Sequence, residues 1–427
     1  MDNAELEKCI EYFRQSSIWL RIFKGFKNKY VSYGRFAGTV VVNNLKTDDI
    51  DELEGFFEQN FHGKKSVTIS ADKFEKALKR SRYGDISPES ILNTYFGETL
   101  LRKSEINVIR EKKIAEIEQE YSKEFKGTPA ELVQHILASV VKKDGDVIQG
   151  NDVNKMFLSI EKWKEDLWLC ARLYNNLPYR EISKKYLAVY AACMTGNPHA
   201  FDHGTAEGKL LYKVIETDLE QRGIKVQASE LFPAYKKQKS YMLAGIMIDD
   251  ISNYSMLYNV HAFKTNGNLH KGIEGFFEEK GIMQLPLNII SELDRIECIN
   301  NEIYIVENPS VFAAMCGEKS CMCMNGQPRL ASLIILELLA RAGTHVFYSG
   351  DLDPEGLLIA QKLAQFYPGT FEYYHMTPED YCECISNEVI SQRRLKMLDK
   401  ITDERIIPVS VEIFKHKRAG YQENITY

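Results

Sequence analysis

The sequence is short of the features that would commit it to a membrane, a secretory route or a cysteine–metal scaffold. Its longest apolar run, 330–339, contains Glu337 and falls well below the roughly 20 residues of a spanning helix. The opening residues Met1-Asp2-Asn3-Ala4-Glu5 have neither a positive lead nor an apolar core. A secretory signal is therefore not expected, and a cytoplasmic protein with no membrane partner is. Nine cysteines in 427 residues are then expected to be reduced thiols. Cys316, Cys321, Cys323, Cys382 and Cys384 lack the paired Cys-x-x-Cys spacing of a zinc framework. Cys321 and Cys323 also fall where a buried strand is expected. Positive charge is not in excess either: the formal net charge is −6. That excludes indiscriminate nucleic-acid binding but leaves room for a local basic face. Internal repeats and low-complexity tracts are absent.

What is present describes an ordinary globular chain, 44% hydrophobic and 27% charged, long enough for two or three cores. The pattern divides into an α+β N-terminal domain (1–128), a mainly helical middle (129–240) and an α/β C-terminal domain (241–427). A winged-helix-like arrangement is one option for the middle. A helix is expected over 4–30, a strand at 39–42, a helix opened by N-capping at Thr47-Asp48-Asp49, and a strand at 66–69. A charged helical stretch follows over 98–125, closed by Gly127-Thr128-Pro129. Helices continue to about residue 219, broken at Gly196-Asn197-Pro198. After Tyr241 short strands and helices alternate: strands near 257–263, 303–306, 346–348 and 370–375, helices near 330–342 and 354–366. Such alternation predicts βαβ units and a mainly parallel sheet with flanking helices.

Two of those strands end in acid. Ile303-Tyr304-Ile305-Val306 runs into Glu307-Asn308-Pro309-Ser310. His345-Val346-Phe347-Tyr348-Ser349 runs into Gly350-Asp351-Leu352-Asp353-Pro354-Glu355-Gly356. Ligand sites of open α/β sheets lie beyond the carboxyl ends of the strands. Glu307, Asp351 and Asp353 converging there, with no Arg or Lys in the motifs, would repel one another, and a divalent cation would relieve this. Singly, each motif has a plainer reading. Glu307 would be an acid at a helix start, and Asp351 to Pro354 an Asp-rich turn before a Pro-initiated helix.

The two motifs together resemble the Toprim domain, in which a lone Glu follows one strand and an Asp-x-Asp a later one. The string Asp351-Leu352-Asp353-Pro354-Glu355-Gly356 is most similar to the topoisomerase VI A-subunit branch. Cys323-Met324-Asn325-Gly326-Gln327-Pro328, Tyr348-Ser349-Gly350-Asp351 and Met376-Thr377-Pro378-Glu379-Asp380-Tyr381 resemble JetD-type subunits of type III Wadjet plasmid-defence systems. So do Thr195-Gly196-Asn197-Pro198-His199-Ala200-Phe201-Asp202 and Asp249-Asp250-Ile251-Ser252. The resemblance implies a metal-dependent endonuclease that cuts plasmid double-stranded DNA. It also implies an SMC-like ATPase complex as partner and a homodimer. It assigns Asp351 and Asp353 to Mg²⁺ or Mn²⁺, and Glu307 to acid/base work or a second metal contact. Glu355 is close enough to act as an outer ligand but stands outside the core set. Asn325, Gly326 and Gln327 are expected at the adjacent strand end, where glycine lets a phosphate approach the backbone.

Three further constellations bear on function. Arg14, Arg21, Lys24, Lys27, Lys29 and Arg35 have no acid between them, and Trp19, Phe23, Phe26, Tyr30, Tyr33 and Phe36 are interleaved. Arg21, Lys24 and Lys27 are candidates for DNA backbone contact, while the aromatics read as core. Lys415, Lys417 and Arg418 are a weaker candidate for the same role. His199 suits a turn packed between two helices, with Asp202 and Thr205 capping the next. A topoisomerase-like transesterase would need a nucleophilic Tyr. Tyr179, Tyr186 and Tyr190 lie in the matching region, but Ser183 and Lys184 stand where the family's adjacent Tyr pair would be. That departure favours water as nucleophile. A non-catalytic DNA-binding scaffold is the third reading, and the intact acids count against it.

Overall fold

A computed structural model describes residues 3–142, 153–227, 229–248 and 252–425. The string Asp249-Asp250-Ile251 lies outside them. The chain forms two compact units, Met1–Asn175 and Asn176–Tyr427, so the dividing point falls within the helical 129–240 segment.

In the first unit the expected single helix over 4–30 is two. Helix α1 (Asn3–Arg14) stops, and Ser16 takes an extended backbone to cap α2 (Ser17–Tyr33) with its hydroxyl. Strand β1 (Thr39–Asn43) pairs antiparallel with β2 (Ser66–Ser70), and Val40, Val42, Val67 and Ile69 point inward. Helix α3 (Thr47–Phe57) lies between them. It is capped not by Thr47 but by Asp49, whose carboxylate accepts from the Lys46 N–H at 3.0 Å. Ser70 caps α4 (Ala71–Arg80), accepting from the Lys73 N–H at 3.1 Å. Trp19, Phe23, Phe26 and Phe36 are buried with Phe13 and Phe74 in one aromatic core. Helices Lys103–Glu124, Gln134–Lys142 and Val153–Asn175 complete the unit.

The second unit opens with helices Leu187–Thr195, Ala206–Gln221 and Tyr235–Leu243. The first ends at Gly196, whose φ of 78° is left-handed. A six-stranded sheet follows, built from β3 (Tyr254–Tyr258), β4 (Met283–Pro286), β5 (Glu302–Val306), β6 (Cys321–Cys323), β7 (His345–Ser349) and β8 (Phe371–Tyr373). Its order is β8-β7-β5-β6-β3-β4. The pairings from β8 to β6 are parallel and those of β3 are antiparallel. The sheet is thus mixed, where a mainly parallel one was expected. The difference begins at Asn259, with φ at 59°. There the predicted strand 257–263 breaks in two, and its second half, Val260–Lys264, pairs with Leu293–Cys298 in a separate small sheet.

Helices α5 (Pro309–Met315), α6 (Leu330–Arg341) and α7 (Pro354–Phe366) connect the parallel strands. Nine residues of α6 are buried, including Leu333, Ile335 and Leu339, which explains a segment apolar nearly all round. From β5 the chain passes to β6 on one side, then back across to β7 on the other. That reversal is a topological switch point, where open sheets leave a crevice at the strand ends.

Candidate functional site

The register aligns three strand ends. Val306 lies opposite Ser349 on one side and Cys323 on the other. The next residues, Glu307, Gly350-Asp351 and Met324-Asn325, therefore leave the sheet side by side. The backbone ties them further: Met324 N–H donates to the Val306 carbonyl at 3.0 Å and Gly326 N–H to the Glu307 carbonyl at 3.2 Å. Asn325 and Gly326 both have left-handed backbone, φ 56° and 90°. They turn the chain away from β6, and the Asn325 amide donates to the Tyr254 hydroxyl at 3.1 Å. Gln327 is exposed at the rim.

Glu307 does not cap α5; Asn308 does, accepting from the Ser310 N–H at 2.7 Å. The Glu307 carboxylate instead turns inward and accepts from the hydroxyl of fully buried Tyr348. Burial pushes its carboxyl up to about 8. The charges of Asp351 and Asp353 add to the rise, and the Tyr348 bond opposes it. Space at this corner is tight. A Cβ on Gly350 would stand 2.6 Å from Glu307 Oε1 and 3.1 Å from the Tyr348 hydroxyl. A Cβ on Gly356 would meet the Asp351 carbonyl at 2.2 Å. The two glycines flanking the acidic turn are thus fixed by packing.

Asp351 accepts from the Gln422 N–H at 3.1 Å, and Leu352 exchanges two backbone hydrogen bonds with Gly420. The C-terminal segment therefore lies along the acidic turn. Asp353 does cap α7 in the plainer sense, accepting from the Gly356 N–H at 2.8 Å with Pro354 in the first turn. Its other oxygen receives the Arg394 guanidinium. Arg394 also donates to both Glu355 oxygens at 2.9 Å and to Glu388 at 3.2 Å. Burial is the first cause raising both Asp carboxyls. The Gln422 N–H opposes it at Asp351; the Gly356 N–H and the Arg394 charge do so at Asp353.

Arg394 and Gln422 enter this site without a sequence signal, and Tyr348 has one only as part of the string that leads into Asp351. Arg394 follows a Ser391 cap of the kind short helices commonly carry, and it lies 41 residues from its partner Asp353. The donor set, hard carboxylate oxygens held in a shared field, suits a hard divalent cation by chemistry. The arrangement does not gather it: among the described residues no three His, Cys, Asp or Glu form a group that could hold a metal ion. Asp353 has both oxygens engaged, and Arg394 stands as the local cation.

The other candidates are dispersed. Arg21 pairs with Asp49 at 3.3 Å, Lys27 pairs with Glu98, and Lys24 is exposed. His199 is exposed on its turn, holding Asp202 at 3.0 Å, and Thr205 alone caps the next helix. Tyr190 is buried. The Tyr179 hydroxyl donates to Asp218 at 2.6 Å, under the Arg222 guanidinium. Burial raises both phenols. Tyr186 is exposed. The nine cysteines are free thiols. No helix among the described residues is long and apolar enough to cross a membrane.

Against known proteins, the family described as "Protein of unknown function N-terminus (DUF3323)" matches residues 36–262, more than half the chain. The chain belongs to this family. The family described as "Protein of unknown function C-terminus (DUF2399)" matches residues 283–426, which takes in β5, β6, β7 and every acid of the site. No curated protein matches the chain.

Proposed function

We propose that this DUF3323 chain is a metal-dependent DNA endonuclease with a Toprim-like C-terminal half. In this reading it is the JetD-type nuclease subunit of a Wadjet-type plasmid-defence system. The observation that carries the proposal is the register of β5, β6 and β7 at a switch point. It brings Glu307, Asp351 and Asn325 off adjacent strand ends, with Asp353 two residues on. The two family matches, which meet the resemblance at both ends of the chain, support it. An SMC-like ATPase complex would select the DNA, and a homodimer would cut both strands.

The residues divide the work by their surroundings. Glu307, half-buried and with its carboxyl pushed up to about 8, can exchange a proton at Oε1 or Oε2, and the Tyr348 hydroxyl holds it in place. Asp351 has a single backbone donor, and Asp353 would be freed for metal by breaking its pair with Arg394. Bound Mg²⁺ or Mn²⁺ on these two acids would supply charge at the phosphate and an activated water. The Asn325 side-chain amide keeps a second N–H beyond its bond to the Tyr254 hydroxyl, suited to a phosphate oxygen. Closed-circular DNA incubated with Mg²⁺ or Mn²⁺, with and without EDTA, tests the reading. Linear or nicked product with free ends, abolished by EDTA, is expected. Intact circles in every arm, or ends still joined to protein after denaturation, would refute it.

A further inference from the structure

Residues 64–82 carry seven cations against two acids, in a chain whose total is acidic. They lie on the loop before β2, on α4 and just past its end. Lys73, Lys76 and Arg80 follow a spacing of three and then four, so they form one ridge of the helix. Lys73 sits with its ammonium 4.6 Å from the Phe61 ring centroid and 5.2 Å from that of Phe57. Lys64, from the neighbouring loop, stands 5.3 Å from the same Phe61 ring. Two lysine ammonium groups thus converge on one buried aromatic. Burial and the Lys64 charge together push the Lys73 ammonium down. Among the described residues neither has a carboxylate within ion-pair distance, and nor do Lys65, Lys79 or Arg82. Among the described residues the ion pairs in the stretch are Lys76 with Asp72 at 2.8 Å and Arg80 with Glu58 at 3.8 Å. Both are solvent-exposed pairs that contribute little.

A solvated helix face usually intersperses its charges. Here like charges are held together by packing on Phe57 and Phe61, at a cost in mutual repulsion that an anion would relieve. The cations form a row rather than closing on a point. From Lys73 to Arg80 the ridge rises about 10 Å, the axial length of about three phosphates on one DNA strand. The row ends at a cleft of 270 Å³ lined by Arg80, Arg82 and Glu58. An extended polyanion fits this geometry better than a single small anion.

The geometry points to Lys64, Lys65, Lys73, Lys76, Arg80 and Arg82 as a binding surface for the phosphate backbone of duplex DNA, sequence-independent in its contacts. The surface rests on the reading of DNA as the substrate, and it places a grip on that substrate in the first unit. The row adds to Arg21, Lys24 and Lys27, the cations expected to contact DNA in this unit, of which Arg21 and Lys27 are engaged by Asp49 and Glu98.

The test is binding of a short labelled duplex to the full chain in EDTA, so that cleavage does not enter, over about 50 to 200 mM salt. Two double variants are compared with wild type: Lys64→Gln with Lys73→Met, which keeps the Lys73 stem on its rings, and Lys64→Gln with Lys65→Gln, both on an exposed loop. Each should weaken binding roughly tenfold at the middle of that range and lower the salt slope by about 2. Lys103→Gln should leave both unchanged. Wild-type affinity and slope in both double variants would overturn the proposal. So would variants that lose competition by inorganic phosphate, or binding to phosphatidylserine vesicles, while gripping DNA normally. If wild type binds with the expected slope yet never cuts closed-circular DNA with Mg²⁺ or Mn²⁺, the nuclease reading fails and the surface stands.

Discussion

The acidic turn of the second unit and the basic row of the first set the same problem in opposite signs. Each holds like charges closer than chance would. In the acidic turn the charges are half-buried. The structure there meets repulsion by holding Glu307 protonated to about pH 8, by backbone donors to Asp351 and Asp353, and by the internal cation Arg394. In the basic row most of the charges are exposed. Water does most of the screening, and ring faces supply the rest. Low dielectric makes the first arrangement costly and specific, and high dielectric makes the second cheap and permissive. Chemistry is therefore expected of the first and grip of the second.

The largest break in that contrast is Asp351→Asn. It should lower cleavage of closed-circular DNA about 10³-fold, the scale of losing a group that acts in the transition state, while duplex affinity in EDTA stays within about twofold of wild type. An unchanged nicking rate would remove Asp351 from the chemistry.

Gly350→Ala comes next. The added methyl falls 2.6 Å from Glu307 Oε1, so overpacking should cost about 1–3 kcal/mol. Thermal unfolding should move down by several degrees. An unmoved transition would mean that the corner has slack.

Glu307→Gln sharpens the comparison through pH. A carboxyl whose folded pKa lies above its ordinary value binds more protons folded than unfolded, so stability falls as pH rises from about 4.5 through 8. The amide removes that loss. In EDTA the variant's melting temperature, relative to wild type, should improve steadily between pH 5 and 9. A constant difference across that range would mean that the Glu307 carboxyl is not held out of water as described. The smallest effect is expected at Tyr179→Phe. It should leave the cleavage rate within about tenfold, or roughly 1.4 kcal/mol, because its hydroxyl is committed to Asp218.

Much of the local structure follows from the sequence alone. Alternating apolar residues fix the strands at 303–306 and 346–348, Pro354 and Asp353 start α7, and Gly196 ends a helix, since each is a contest between neighbours along the chain. The convergence of Glu307 and Asp351 on one edge was also legible, because a strand that ends in acid carries its acid to the sheet's end. The partners of those acids were not. Tyr348 meets Glu307 across 41 residues and Gln422 meets Asp351 across 71, and no local pattern records such pairings. Burial patterns likewise say that a strand is inside but not which neighbour it takes, so the mixed sheet and the break at Asn259 waited on the fold. The ion pairs of Arg21 with Asp49 and of Lys27 with Glu98, and the meeting of Lys64 with Lys73 over Phe61, were decided the same way. Charge is written in the sequence, but the distance between charges is set only when the chain packs, and distance determines what the charges can do.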